Sequence, residues 1–221
     1  SVTINNNRFQ IGLTVTLITV WSIFSITQPA LAHHPTGGGL PGNLIEGFLS
    51  GLGHPVIGID HLAFIVASGL IAVSSQRGWL IPTGVIIGTM MGTGVHLQGV
   101  NIPFVETLIA ASVLIMGILL VSRQTNLESR PWVYSLIIAV GSAIAGIFHG
   151  YAYGEAIIGA EMTPLIAYLA GFSVIQLLIA VGSYKLAQTV VTQISNPSLP
   201  LNRLLGCGLV GMGLVFITAT F

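Results

Sequence analysis

Twelve of the 221 side chains are Asp, Glu, Lys or Arg. This 5% charged fraction decides the fold class before any motif does, since soluble domains carry roughly 25%. A water-facing surface cannot be assembled from so few charges. With 53% hydrophobic residues, the chain must bury most of its outer surface in lipid, which makes it an all-α, polytopic transmembrane helix bundle. Six basic residues against six acidic ones offer no electrostatic footprint for nucleic acid. The six His equal each charge class in number, and an ionisable group at membrane depth costs at least a few kcal/mol. The positions of these eighteen groups are therefore the informative part of the sequence.

A hydrocarbon core of about 30 Å needs roughly 20 helical residues. Seven stretches approach that length, at residues 9–27, 55–75, 79–99, 103–122, 131–151, 162–184 and 203–221. The first follows Arg8 and runs into Pro29-Ala30-Leu31-Ala32. That is the layout of a signal peptide, with a basic start, an apolar run and small residues before a cut at Ala32. Residues 1–32 are accordingly read as a signal peptide or a retained seventh helix, and 33–221 as a six-helix membrane domain. Arg77-Gly78, Asn101-Ile102-Pro103, Arg123 to Pro131, Gly154 to Pro164 and Ser195-Asn196-Pro197 punctuate the six spans. Pro55 is expected to open the first of these spans as its first helical residue, leaving His54 just before the helix.

Basic residues gather in cytoplasmic loops. Arg77, Arg123, Arg130, Lys185 and Arg203 all fall in or beside the connections after spans 1, 3 and 5, and the other connections contain none. Both ends of the mature chain are therefore expected on the extracytoplasmic side of a bacterial inner membrane or an equivalent energised membrane. On this topology eleven of the twelve acidic and His residues lie in the outer half. They include His33 and His34 at the mature start, Glu46 ahead of span 1, His54, Asp60 and His61 within or beside it, His96, Glu106, His149, Glu155 and Glu161. Glu128 alone is cytoplasmic. His54 and His61 are seven apart and would share one helix face. Imidazole with carboxylate suits borderline divalent ions such as nickel, cobalt or zinc. If cleavage follows Ala32, the α-amine and ring of His33 could chelate together.

The run His54-Pro55-Val56-Ile57-Gly58-Ile59-Asp60-His61 resembles the H-x5-D-H signature of the HupE/UreJ family. Phe148-His149-Gly150, continuing through Ala152, Gly154 and Glu155, resembles that family's F-H-G-x-A-x-G-x-E motif, its acidic residue falling one position early. The resemblance covers nearly the whole mature chain. It implies a secondary permease that carries nickel or cobalt as its substrate, with no prosthetic group. It further implies metal handling by His54, Asp60, His61, His149 and Glu155. His96, Glu106 and His33 are further candidates on the same face.

Two readings of other classes compete with this one. One is a membrane hydrolase whose zinc, held by three His, activates water with Asp60 or Glu155 as base. The other is a non-catalytic subunit docked in a larger membrane complex. Gly84, Gly88 and Gly92 make a smooth helix stripe fit for close packing, as do Gly206, Gly208, Gly211 and Gly213, with Cys207 a small packing residue among them. The glycines at 150 and 154 allow a helix either to unwind or to be approached, with Tyr151 and Tyr153 as interfacial aromatics. Met90 and Met91 read as lipid-facing or core residues. No phosphate-binding G-x-x-x-x-G-K-[ST] run is present, and no repeat relates spans 1–3 to spans 4–6.

Overall fold

The computed structural model describes residues 39–73, 75–122, 131–193 and 201–221. The expected N-terminal helix, its cleavage site, His33, His34, Glu128 and the arginines at 8, 123 and 130 lie outside the described residues. Those residues form seven helices and no strand: α1 Leu44–Ile57, α2 Ile59–Ala72, α3 Leu80–Leu97, α4 Val105–Val121, α5 Trp132–Glu155, α6 Met162–Gln193 and α7 Leu201–Ala219. Helices α3, α5 and residues 162–189 of α6 are each long and apolar enough to cross a membrane. Helices α4 and α7 are apolar but shorter, and α1 with α2 passes the same length test only as a pair bent by 81°.

This bent pair corrects the first expected span. Residues 55–75 are not one straight helix opened by Pro55. Instead α1 begins eleven residues earlier, and Pro55 sits inside its last turn. The start is fixed by a capping box: Asn43 accepts from the Glu46 N–H at 2.9 Å, and Glu46 reaches back to the Gly42 N–H at 2.8 Å. Glu46, placed by the sequence ahead of span 1, therefore holds the helix start. The end is fixed by chemistry at two positions. Pro55 has no N–H to give the Gly51 carbonyl, and Gly58 takes an extended conformation at φ −74° and ψ 104°. A Cβ on Gly58 would lie 2.5 Å from His61 Cδ2 and 3.2 Å from Asp60 Oδ1, so a side chain there would displace the residues that follow. Asp60, in the first turn of α2, accepts from the His61 N–H at 2.8 Å, a favourable place for a carboxylate at a helix N-terminus.

Packing follows the glycine stripes. A Cβ on Gly84, Gly88 or Gly92 would run into the carbonyls of Ala139, Ala143 or Ile147, so α3 and α5 pack backbone to backbone, as the stripe predicts. Gly150 meets Thr89 and Gly154 meets His96 across the same seam. These two glycines stay helical. They permit close approach rather than unwinding, and α5 continues four residues past its expected end to Glu155. Gly206 against Val121 and Gly213 against Leu114 join α7 to α4, while Gly47, Gly51 and Gly171 join α1 to α6. Helix α2 runs through the middle and touches each of the other six. Its Phe64, Ile65, Ala67 and Ile71 form the core with Ile81, Val85, Val113, Met116 and Leu120.

The outward faces of α5 and α6 carry Ile137, Val140, Ile144, Ile166, Leu177 and Leu178, all exposed. Such continuous apolar faces are stable against lipid and not against water. Met90 and Met91 belong to this lipid-facing class, being 46% and 56% exposed. Helix α6 exceeds its expected end by nine residues, because Leu186, Ala187 and Gln188 are good helix formers that continue past Lys185. At about 1.5 Å per residue its 32 residues outreach the hydrocarbon core.

Candidate functional site

Where α1 breaks into α2, three imidazoles from three helices meet. His54 comes from the last turn of α1, His61 from the first turn of α2 and His149 from α5. Each is 1% exposed or less. His54 thus does not precede its helix with a free ring, as Pro55 had led one to expect; the ring is enclosed because α1 runs on through Pro55. His54 and His61 face each other at 5.9 Å between ring centroids. The break turns them inward, rather than a common stripe on one straight helix.

The hydrogen bonds assign the tautomers. Ser112 Oγ donates its one proton to the Ile109 carbonyl at 2.7 Å, so at 2.8 Å from His149 Nε2 it must accept. His149 is therefore protonated on Nε2, and its Nδ1 carries the lone pair. That lone pair faces His61 Nδ1 at 2.8 Å, which makes His61 the donor and leaves the His61 lone pair on Nε2. The same logic holds for His54. The Tyr168 hydroxyl donates to the Tyr153 carbonyl at 2.8 Å and so accepts from His54 Nδ1 at 3.0 Å. His54 also carries its lone pair on Nε2.

Tyr153 stands between the two rings, at 5.0 Å from His54 and 4.8 Å from His61. It is fully buried, with no partner for its hydroxyl among the described residues. Tyr151 is buried too, so neither tyrosine is the interfacial aromatic expected from sequence. Phe64 stacks on His149 at 4.2 Å. Asp60 is next to this cluster, with Oδ1 3.8 Å from His61 Nδ1 and a side chain that is 23% exposed. It sets a part-exposed carboxylate beside the buried imidazoles.

The other candidates are distributed around this centre. His96 packs its ring on Tyr151 at 4.1 Å beneath Gly154. Glu106 and Glu155 are exposed, in the first turn of α4 and the last residue of α5. Among the described residues no three His, Cys, Asp or Glu side chains converge on a common point as a metal-holding group. The imidazoles are engaged with one another, Ser112 and Tyr168 instead. Ser112, Tyr168, Tyr153 and Phe64 were missed by sequence reasoning. Hydroxyls and aromatics are ordinary in membrane helices, whereas the spacing of His54 and His61 and the two motifs pointed toward the imidazoles of this pocket.

Replacing Tyr168 with Phe tests the orienting bond. It leaves a buried His54 N–H and the Tyr153 carbonyl without that hydroxyl, at an expected cost of about 1–3 kcal/mol. Unfolding of the two proteins in detergent micelles reads this out, and equal stability would remove Tyr168 from the orienting role.

A profile of the family described as HupE / UreJ protein matches residues 21–216. The chain is 30% identical over 154 residues to Protein HupE of Rhizobium leguminosarum bv. viciae, covering 68% of this chain and 73% of that one. No solved structure matches it.

Proposed function

The chain belongs to the HupE/UreJ family, and from that premise we propose that it is a permease carrying a divalent transition-metal ion, nickel or cobalt, into the cell. One observation carries the reading. At a broken membrane helix, two imidazoles with their lone pairs on Nε2 and a third hydrogen-bonded to them are enclosed beside a carboxylate. Burying three imidazoles in a lipid-facing chain is costly unless they share a task. Neutral imidazole nitrogen is the commonest protein donor for such ions.

The roles follow from the bonds. Asp60, part-exposed, attracts the hydrated ion and holds the start of α2 through the His61 N–H. His54 and His61 replace water on the ion through Nε2. His149, whose Nδ1 accepts from His61, keeps the His61 ring in the required tautomer and can take over as donor once that hydrogen bond opens. Glu155, Glu106 and His96 serve as outer groups on the approach. Conduction requires that the ion be held loosely enough to release. Arg77, Lys185 and Arg203 mark the cytoplasmic side by the positive-inside rule. The membrane potential then favours entry by about 2.3 kcal/mol per charge per 100 mV.

The test is uptake of radiolabelled nickel and cobalt by cells depleted of both. Expression of the wild type is expected to raise uptake, and Asp60→Ala to return it most of the way to the background. Uptake equal in the two would defeat the proposal, as would tightly retained zinc with hydrolytic turnover and no transport.

A further inference from the structure

Between the imidazoles and the cytoplasmic Arg77 and Lys185 the described helices carry no Asp, Glu, His, Lys or Arg, yet the buried side chains of Gln176 and Ser142 each leave a polar atom without a partner among the described residues. Gln176 on α6 is 1% exposed. Its amide orientation is fixed by a neighbour. Thr89 Oγ1 donates to the Ile86 carbonyl at 3.0 Å, so toward Gln176 it can only accept, and the group 3.1 Å away must be the Gln176 Nε2 amine. The carbonyl Oε1 therefore points away from Thr89, and no described residue donates to it. A buried acceptor left without a donor keeps the full cost of its desolvation, so something other than these side chains is expected to use it.

Position indicates what. Tyr168, Phe172, Gln176 and Ala180 follow one another at four-residue steps and so share one face of α6. Tyr168 at one end of that face holds His54. Ala180 at the other end meets Gly69, where a Cβ would strike its carbonyl, and Gly69 is eight residues inward from His61 on α2. Gln176 lies between these two contacts. Thr89, which orients it, abuts Gly150, the residue after His149, and Thr93 ties the same seam by donating to the Gly150 carbonyl at 2.7 Å. The orphan carbonyl is thus at the depth of His149, on the inner side of the imidazole cluster.

We propose that Gln176 Oε1 is an oxygen donor to the divalent cation as it leaves the imidazoles for the inner half of the bundle. This inference rests on the transport reading above and extends it to a residue that the sequence motifs do not contain. A neutral carbonyl suits this step: it replaces one water of the ion's shell yet holds less tightly than imidazole or carboxylate, so the ion passes on.

Initial uptake rates of nickel and cobalt are measured against metal concentration in cells expressing wild type, Gln176→Leu, Gln176→Glu and His61→Ala, each normalised to protein in the membrane. Gln176→Leu is expected to lower the maximal rate about tenfold, the scale of one lost contact in a dry site. Gln176→Glu, nearly isosteric, is expected to lower both the half-saturating concentration and the maximal rate, because a carboxylate holds the ion longer. A Gln176→Leu protein present at wild-type level and transporting at the wild-type rate overturns the inference. Where Gln176→Leu fails to reach the membrane, Gln176→Glu decides: a half-saturating concentration equal to that of the wild type overturns the inference, since a merely structural amide would change only amount or rate. No uptake by the wild type refutes the transport reading itself, whereas wild-type uptake abolished by His61→Ala but untouched at Gln176 refutes only this extension.

Discussion

His61→Ala is expected to reduce metal uptake by more than about a hundredfold, beyond the 10–100-fold typical of losing a group that merely supports a ligand. The reason is that His61 does three things at once. Its Nε2 carries a lone pair for the ion, its Nδ1–H satisfies His149, and its ring rests in the space that Gly58 leaves open. Removing it deletes one donor and frees His149 to turn away from the pocket. His61→Gln keeps a hydrogen-bonding group there, so it is expected to restore the amount of protein in the membrane and not the uptake. Uptake normalised to membrane protein separates the two effects. A His61→Gln protein with wild-type transport would show that the imidazole serves packing alone.

Gly150→Leu is expected to have the largest structural effect of any single change considered. A Cβ there would lie 2.5 Å from both the Thr89 Cα and carbonyl carbon, and neither belongs to a flexible side chain. Helix α3 cannot retreat locally, because Gly84, Gly88 and Gly92 press it to α5 along the same seam. Overpacking of this kind costs at least about 3 kcal/mol, the upper end of the usual range, because two backbones must separate. The expected result is loss of folded protein from membranes and from detergent extracts. Gly141→Leu, on the same helix with nothing within 4 Å of its Cβ, is the control and is expected to accumulate normally. Equal accumulation of the two variants would refute the tight seam.

Much of the fold was legible in the residue pattern. Five of the six spans after residue 33 correspond to single helices, because length, apolar content and Gly or Pro punctuation are properties of a segment alone. The exception is instructive. Residues 44–72 read as an amphipathic run followed by one span, since Pro55 is compatible with a helix start and also with the last turn of an earlier helix. The Asn43 and Glu46 cap, with the packing of Gly47 and Gly51 against Pro164 and Tyr168, makes α1 a helix in its own right. Likewise Gly150 and Gly154 permit two outcomes in sequence, and the nearness of Thr89 and His96 selects close approach over unwinding.

The candidate site divides the same way. The motif positions His54, Asp60, His61 and His149 do come together. Glu106 and Glu155 lie exposed, and His33 falls outside the described residues. Ser112, Tyr168 and Gln176 had no signal, since a hydroxyl or amide acquires meaning only from the group opposite it, 37 to 114 residues away along the chain in these bonds.

Composition and hydropathy alone were enough to read a membrane chain, and the motifs alone to single out His54, Asp60, His61 and His149 among its few ionisable groups. Scarcity of charge is a local, additive property, and the free energy of moving it into lipid depends on composition more than on partners. Which nitrogen of each imidazole carries the lone pair, and which carbonyl stands without a donor among the described residues, came from helix packing. A proton's location in a buried hydrogen-bond chain is fixed by the neighbour that can only accept, and that neighbour is brought there by helix packing.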